Sequence, residues 1–75
     1  TAAATLDAAG REILGLFDGS PLSLDAIVSR ATIPSGETSL ALLSLEMRGL
    51  LVRRHGAYEL TASGAAIMRA LVGQS

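Results

Sequence analysis

Leu42-Leu43-Ser44-Leu45-Glu46-Met47-Arg48-Gly49-Leu50-Leu51-Val52 is the stretch that decides the fold. It reads as the last turns of a helix, a glycine stop and the start of a strand. Leu42 and Leu45 lie one turn apart and can face a core, while Gly49 can take the left-handed conformation that ends a helix. On the opposite side of the same helix, Leu40, Leu43 and Met47 recur at helical spacing.

Downstream, Leu51 to Arg54 and Ala57 to Leu60 flank His55-Gly56, which fits two strands joined by a tight hairpin turn. A two-residue loop places Leu51, Arg53, Tyr58 and Leu60 on one face and Val52, Arg54, Ala57 and Glu59 on the other. Thr61 then caps a final helix through about Val72, with Ile67, Met68, Leu71 and Val72 as apolar positions.

Upstream, Ser35 is expected to cap the leucine-rich helix, with Glu37 in its first turn. Thr32-Ile33-Pro34 breaks the chain before it, because proline disfavours a helical conformation at the preceding residue. The helix before that break has Ser23 as cap and Asp25 in its first turn, and ends near Ala31; Ile27, Val28 and Ala31 are expected to face inward. Asp18-Gly19-Ser20-Pro21 is turn chemistry, and Leu22 is placed to bridge to the hairpin. Thr1 to Ala4 are read as a small-residue leader or the end of a linker, and Thr5 is read as the cap of a first helix running to about Phe17, whose apolar repeat includes Leu6, Ile13 and Phe17. Gly10 and Gly15 each weaken that helix by roughly 1 kcal/mol relative to alanine, so it must rely on packing. Two helices joined by a short turn around one aliphatic residue, Ile33, form a helix-turn-helix unit. The whole order predicts a mainly α domain with a small β-hairpin: a winged helix-turn-helix of three helices, a short wing and a C-terminal helix.

Seventy-five residues support a single domain with little surplus core. With 49% apolar residues, a packed core is expected, and Phe17 and Tyr58 are its only aromatics. Residues 1–75 are therefore read as one domain, and the start at Thr1 rather than methionine is read as a piece of a longer protein, such as an excised C-terminal domain, or as a processed product. There is no cysteine, which fits a reducing compartment. No apolar run approaches the roughly 20 residues that span a bilayer, so the expectation is a cytoplasmic domain without a membrane partner. Net charge is −1, and all six basic residues are arginine. Phosphate neutralisation supplies most of the affinity of nucleic-acid binders, and this balance argues against strong autonomous DNA binding.

Ile13-Leu14-Gly15-Leu16-Phe17, Pro21-Leu22-Ser23-Leu24-Asp25-Ala26-Ile27 and Leu45-Glu46-Met47-Arg48-Gly49-Leu50-Leu51 resemble the C-terminal winged helix of the bacterial DNA-processing protein A (DprA/Smf) family. The similarity runs from about Ile13 to Tyr58. It implies an accessory domain attached to a Rossmann-like core that binds single-stranded DNA and helps load recombinase in natural transformation. Thr32 departs from the pattern, since these domains usually have glycine in the inter-helix turn, where a β-branched residue resists positive φ. Leu60-Thr61-Ala62-Ser63-Gly64 also resembles MarR-type regulators, which keeps a DNA-binding transcriptional regulator domain as the alternative.

Leu40, Leu43 and Met47 admit two readings: core of a helix buried on both sides, or a contact surface for a neighbouring domain, a partner protein or a second copy in a homodimer. Against DNA, they occupy the face that a base-reading helix fills with polar residues, and a groove offers little apolar surface beyond thymine methyl groups. The expected role is therefore protein contact. Arg53, Arg54 and His55 cluster at the wing tip with Arg48 nearby. They are either a solvated hairpin tip or weak, sequence-independent phosphate contacts, and Arg48 also suits a helix C-terminus. His55 lacks partners for a metal site. With no glycine-rich phosphate loop and no nucleophile–base set, no catalytic residue, metal or cofactor is expected, and the chain is not read as an enzyme.

Overall fold

The computed structural model describes residues 6–73. Its first helix, α1 (Ala8–Gly15), is capped by Asp7, whose carboxylate accepts the Gly10 N–H at 2.8 Å. The leader Thr1–Ala4 and the cap expected at Thr5 lie outside the described residues; a carboxylate beside the first helical turn serves as the cap instead. The helix stops short of Phe17 because its last turn tightens. The Leu16 N–H donates to Ile13 O at 3.1 Å and the Phe17 N–H to Leu14 O at 3.3 Å, the i→i+3 pattern that often closes a helix. That turn drives Phe17 into the core.

After the Asp18–Pro21 turn, β1 (Leu22–Ser23) makes the bridge expected of Leu22. Ser23 caps α2 (Leu24–Arg30), its hydroxyl oxygen accepting the Ala26 N–H at 3.1 Å. Ile27 is fully buried, whereas Val28 and Ala31 are half-buried.

The turn to the next helix contains no left-handed residue, so Thr32 fits without backbone strain. Its N–H and hydroxyl both donate to the Glu12 carboxylate, the hydroxyl at 2.7 Å, tying α1 to the inter-helix turn. The Thr32 backbone bond, then its side-chain bond, hold the Glu12 carboxyl below its ordinary value of 4.5 despite opposing desolvation. Because the folded-state pKa is depressed, this contact stabilises the fold above the ordinary carboxylate range and is lost as pH falls through the lower folded value. Thermal melts taken down through that range are expected to show a shallower fall for Glu12→Gln than for the parent, since glutamine accepts hydrogen bonds but does not titrate. Parallel curves would show that the clamp is absent in solution.

α3 (Ser35–Met47) begins one residue differently from expectation: Pro34 is the N-cap, and Ser35 is the first helical residue and makes no cap bond. Pro34 is held extended at φ −58° and ψ 151°. Its carbonyl accepts both the Thr38 N–H at 3.0 Å and the Thr38 hydroxyl at 3.1 Å, which satisfies a fully buried polar side chain. At the other end, Gly49 at φ 75° lets its own N–H reach Glu46 O at 3.0 Å and the Leu50 N–H reach Leu45 O at 3.0 Å. This pair of bonds is the Schellman stop.

β2 (Leu51–Arg54) and β3 (Ala57–Leu60) pair antiparallel with Leu51 opposite Leu60 and Arg53 opposite Tyr58. His55 at φ 52° and Gly56 at φ 76° form the loop, the two left-handed residues that match strand twist in a two-residue hairpin. With β1 the sheet order is β1-β3-β2. Leu51 and Tyr58 are buried and Leu60 packs partly against the core, as the alternation requires.

Thr61 then makes three connections. Its hydroxyl oxygen accepts the Gly64 N–H at 3.0 Å, capping α4 (Ala62–Gly73); the same hydroxyl donates to Gly49 O at 2.6 Å; and its N–H donates to Leu50 O at 3.1 Å. α4 lays Ile67, Met68 and Leu71 against a core centred on Ile13, Leu14, Phe17, Ile27, Leu42 and Leu45. Val72, expected among these apolar positions, is exposed because the last turn of α4 runs past the core. The architecture is a winged helix-turn-helix with β1 added to the wing.

Candidate functional site

α3 is apolar on two sides, and only packing separates them. Thr38, Ala41, Leu42 and Leu45 turn inward against α1 and β2. On the outer side, Leu40 is 69%, Leu43 54% and Met47 80% exposed. None of the three belongs to the core, so within this domain the stripe is surface. At roughly 100° per residue, exposed Gly36 continues the stripe one turn earlier. The same geometry puts Glu37 and Ser44 along one rim and Ser39 and Glu46 along the other.

The rim with Glu37 and Ser44 overlooks a groove of about 490 Å³ between α3 and the start of α1. Leu6 and Asp7 form one wall, and Leu40, Ser44 and Arg48 form part of the other. Charge of both signs therefore borders the apolar stripe.

The basic candidates are spread rather than gathered. Arg48 is the C-cap of α3, its N–H donating to Ser44 O at 3.1 Å. Its guanidinium stands near the helix end where positive charge opposes the dipole. Arg53 and Arg54 are adjacent in β2 and so project to opposite faces of the wing. The Arg53 guanidinium carbon sits 5.7 Å from the Tyr58 ring centre, within cation–π range. Arg54 shares its face with Glu59, and His55 is exposed in the turn. Each can reach solvent, but strand alternation prevents both wing arginines from meeting one phosphate track squarely.

Among the described residues, no group of three or more His, Asp or Glu is placed to hold a metal, and no helix is long and apolar enough to cross a membrane. Two contacts that frame α3 had little signature in sequence. Glu12 and Thr32 are twenty residues apart, and nothing local marks either as a partner. Thr61 was legible as a cap, but its bond to Gly49 O depends on how the wing folds back.

Compared with known families, residues 1–57 match the model described as the DprA winged helix domain. No curated protein and no solved structure matches the chain.

Proposed function

Because the chain belongs to the family of DprA winged helix domains, we propose that it is the accessory domain of a cytoplasmic DprA/Smf-like DNA-processing protein, in which a core that handles single-stranded DNA and loads recombinase does the principal work. In this reading it sits C-terminal to that core and acts chiefly by protein or interdomain contact through the outer face of α3. The wing adds weak, sequence-independent phosphate contact. The observation that carries the proposal is the exposure of Leu40, Leu43 and Met47 on the helix that would otherwise read bases. Removing such side chains from water against apolar protein is worth about 1.5–3 kcal/mol each when burial is complete. A DNA groove returns little of that.

A DNA titration followed by NMR tests the division of labour. With a short duplex and a single strand of equal length, shifts are expected at Arg53, Arg54 and His55, with a dissociation constant of about 0.1 mM that weakens as salt rises and ignores base sequence. Arg53→Ala with Arg54→Ala is expected to flatten that salt dependence. The methyl signals of Leu40, Leu43 and Met47 are expected to stay in place. Methyl shifts on α3 that change with a few base substitutions would overturn the proposal in favour of a MarR-like regulator, the reading that Leu60-Thr61-Ala62-Ser63-Gly64 favours.

A further inference from the structure

The exposed positions Gly36, Leu40, Leu43 and Met47 are separated by 4, 3 and 4 residues, the spacing along which two helices pack knobs into holes. Resting on the reading of α3 as a contact surface, we propose that its occupant is a second copy of this chain, with the two α3 helices packed antiparallel. A two-fold axis between positions 41 and 42 sets Leu40 of one copy against the partner's Leu43. It also lays Met47, the most exposed knob, over the partner's Gly36, a position with no side chain. Parallel packing would instead stack like on like, leaving a gap where two glycines meet and crowding where two methionines meet. Complementary size selects the antiparallel orientation.

The rims accommodate the same direction. Glu37 and Arg48 lie on one flank at opposite ends of α3. A two-fold axis across the helices brings each flank against the same flank of the other copy. Glu37 then stands beside the partner's Arg48, and the reverse contact repeats it by symmetry. On the other flank Ser39 meets the partner's Glu46. In a parallel pair the flanks would be exchanged, and Arg48 would face the partner's Glu46 instead. The identity of the acidic partner therefore reports the orientation.

The area sets the strength. The three exposed side chains offer on the order of 400 Å² per copy. A pair therefore buries less than the roughly 1,200 Å² at which stable specific interfaces begin. The dimer is accordingly weak and reversible.

Sedimentation of the chain from micromolar to millimolar concentration is expected to show a reversible monomer–dimer equilibrium. Leu43→Glu should weaken it at least ~10-fold, because the new carboxylate is buried without a partner, and should leave the melting temperature close to that of the parent. Glu37→Arg and Arg48→Glu should each weaken self-association. Mixing these two variants in equal amounts should restore it, since both cross-pairs become opposite in sign. In a mixture of isotope-labelled and unlabelled parent chain, the Met47 methyl should show intermolecular contact with the partner's Gly36, a readout that needs no variant. A parent that stays monomeric at millimolar concentration, a dimer that survives Leu43→Glu, or a charge-swapped mixture that does not recover would each overturn the pairing. Failure of the broader reading of α3 would show separately, as base-dependent methyl shifts in the DNA titration.

Discussion

Gly64→Ala is expected to lower the melting temperature by about 10 °C or more, the reverse of what alanine does inside an unobstructed helix. A Cβ at this position would lie 2.0 Å from Leu50 O and 3.0 Å from the carbonyl carbon behind it. The obstruction is backbone, and that carbonyl is already held by the Thr61 N–H. It cannot rotate aside as a side chain would. Helix propensity favours alanine by about 1 kcal/mol, but forcing atoms into an occupied site costs about 1–3 kcal/mol and sometimes more. At this separation α4 must shift away from the base of the wing, so the steric cost wins. Gly15→Ala is the control: nothing lies within 4 Å of its added Cβ, and its φ is not left-handed. That variant is expected to gain up to about 1 kcal/mol. Thermal melts of both variants decide the matter, and a Gly64→Ala chain as stable as the parent would refute the docking of α4 on Leu50.

Leu45→Ala and Leu43→Ala are expected to part company even though the two leucines stand on the same helix. Leu45 is 1% exposed and touches the core, so its truncation leaves a cavity and should cost about 2–5 kcal/mol. For a domain of this size that corresponds to a fall of roughly 10–30 °C. Leu43, at 54% exposure, loses little packing within its own chain, and its truncation should stay within about 0.5 kcal/mol. Denaturant or thermal unfolding at low protein concentration keeps association out of the comparison. Equal losses would return Leu43 to the core and remove the basis for a contact surface on α3.

The parts of the fold that were legible in the sequence carry local signals. Ser23 and Thr61 precede helices and cap them; Gly49 stops α3; and His55-Gly56 fixes the hairpin register. Errors fell where neighbouring residues compete for one role. Ser35 followed by Glu37 looks like a helix start, yet Pro34 leaves the helical path first, because its ring fits the extended cap conformation and its carbonyl is claimed twice by Thr38. The cap of α1 likewise went to Asp7, two residues beyond the expected one. The candidate site was legible as a stripe, because helical spacing set Leu40, Leu43 and Met47 opposite Leu42 and Leu45, and burial follows that division. Apolar residues run almost all the way round α3, so whether the outer side was surface or a second buried side depended on where α1 and β2 lie. The wing arginines were visible as a cluster in sequence, whereas their division between two faces follows from the strand that carries them.

Thr61 closes the neck of the wing, joining its exit strand to the residues just before its entry strand through Gly49 O and Leu50 O. Everything between these anchors is a loop whose two ends meet whatever lies at the tip. Lengthening such a loop carries only a slowly growing entropic cost, about 0.6 kcal/mol for each doubling. The wing is thus an interchangeable part. Its reach and charge can drift over generations, or be exchanged by graft, while the helical body and the outer face of α3 stay as they are. A lineage can revise the tip of the wing without renegotiating the packing of the helical body beneath it.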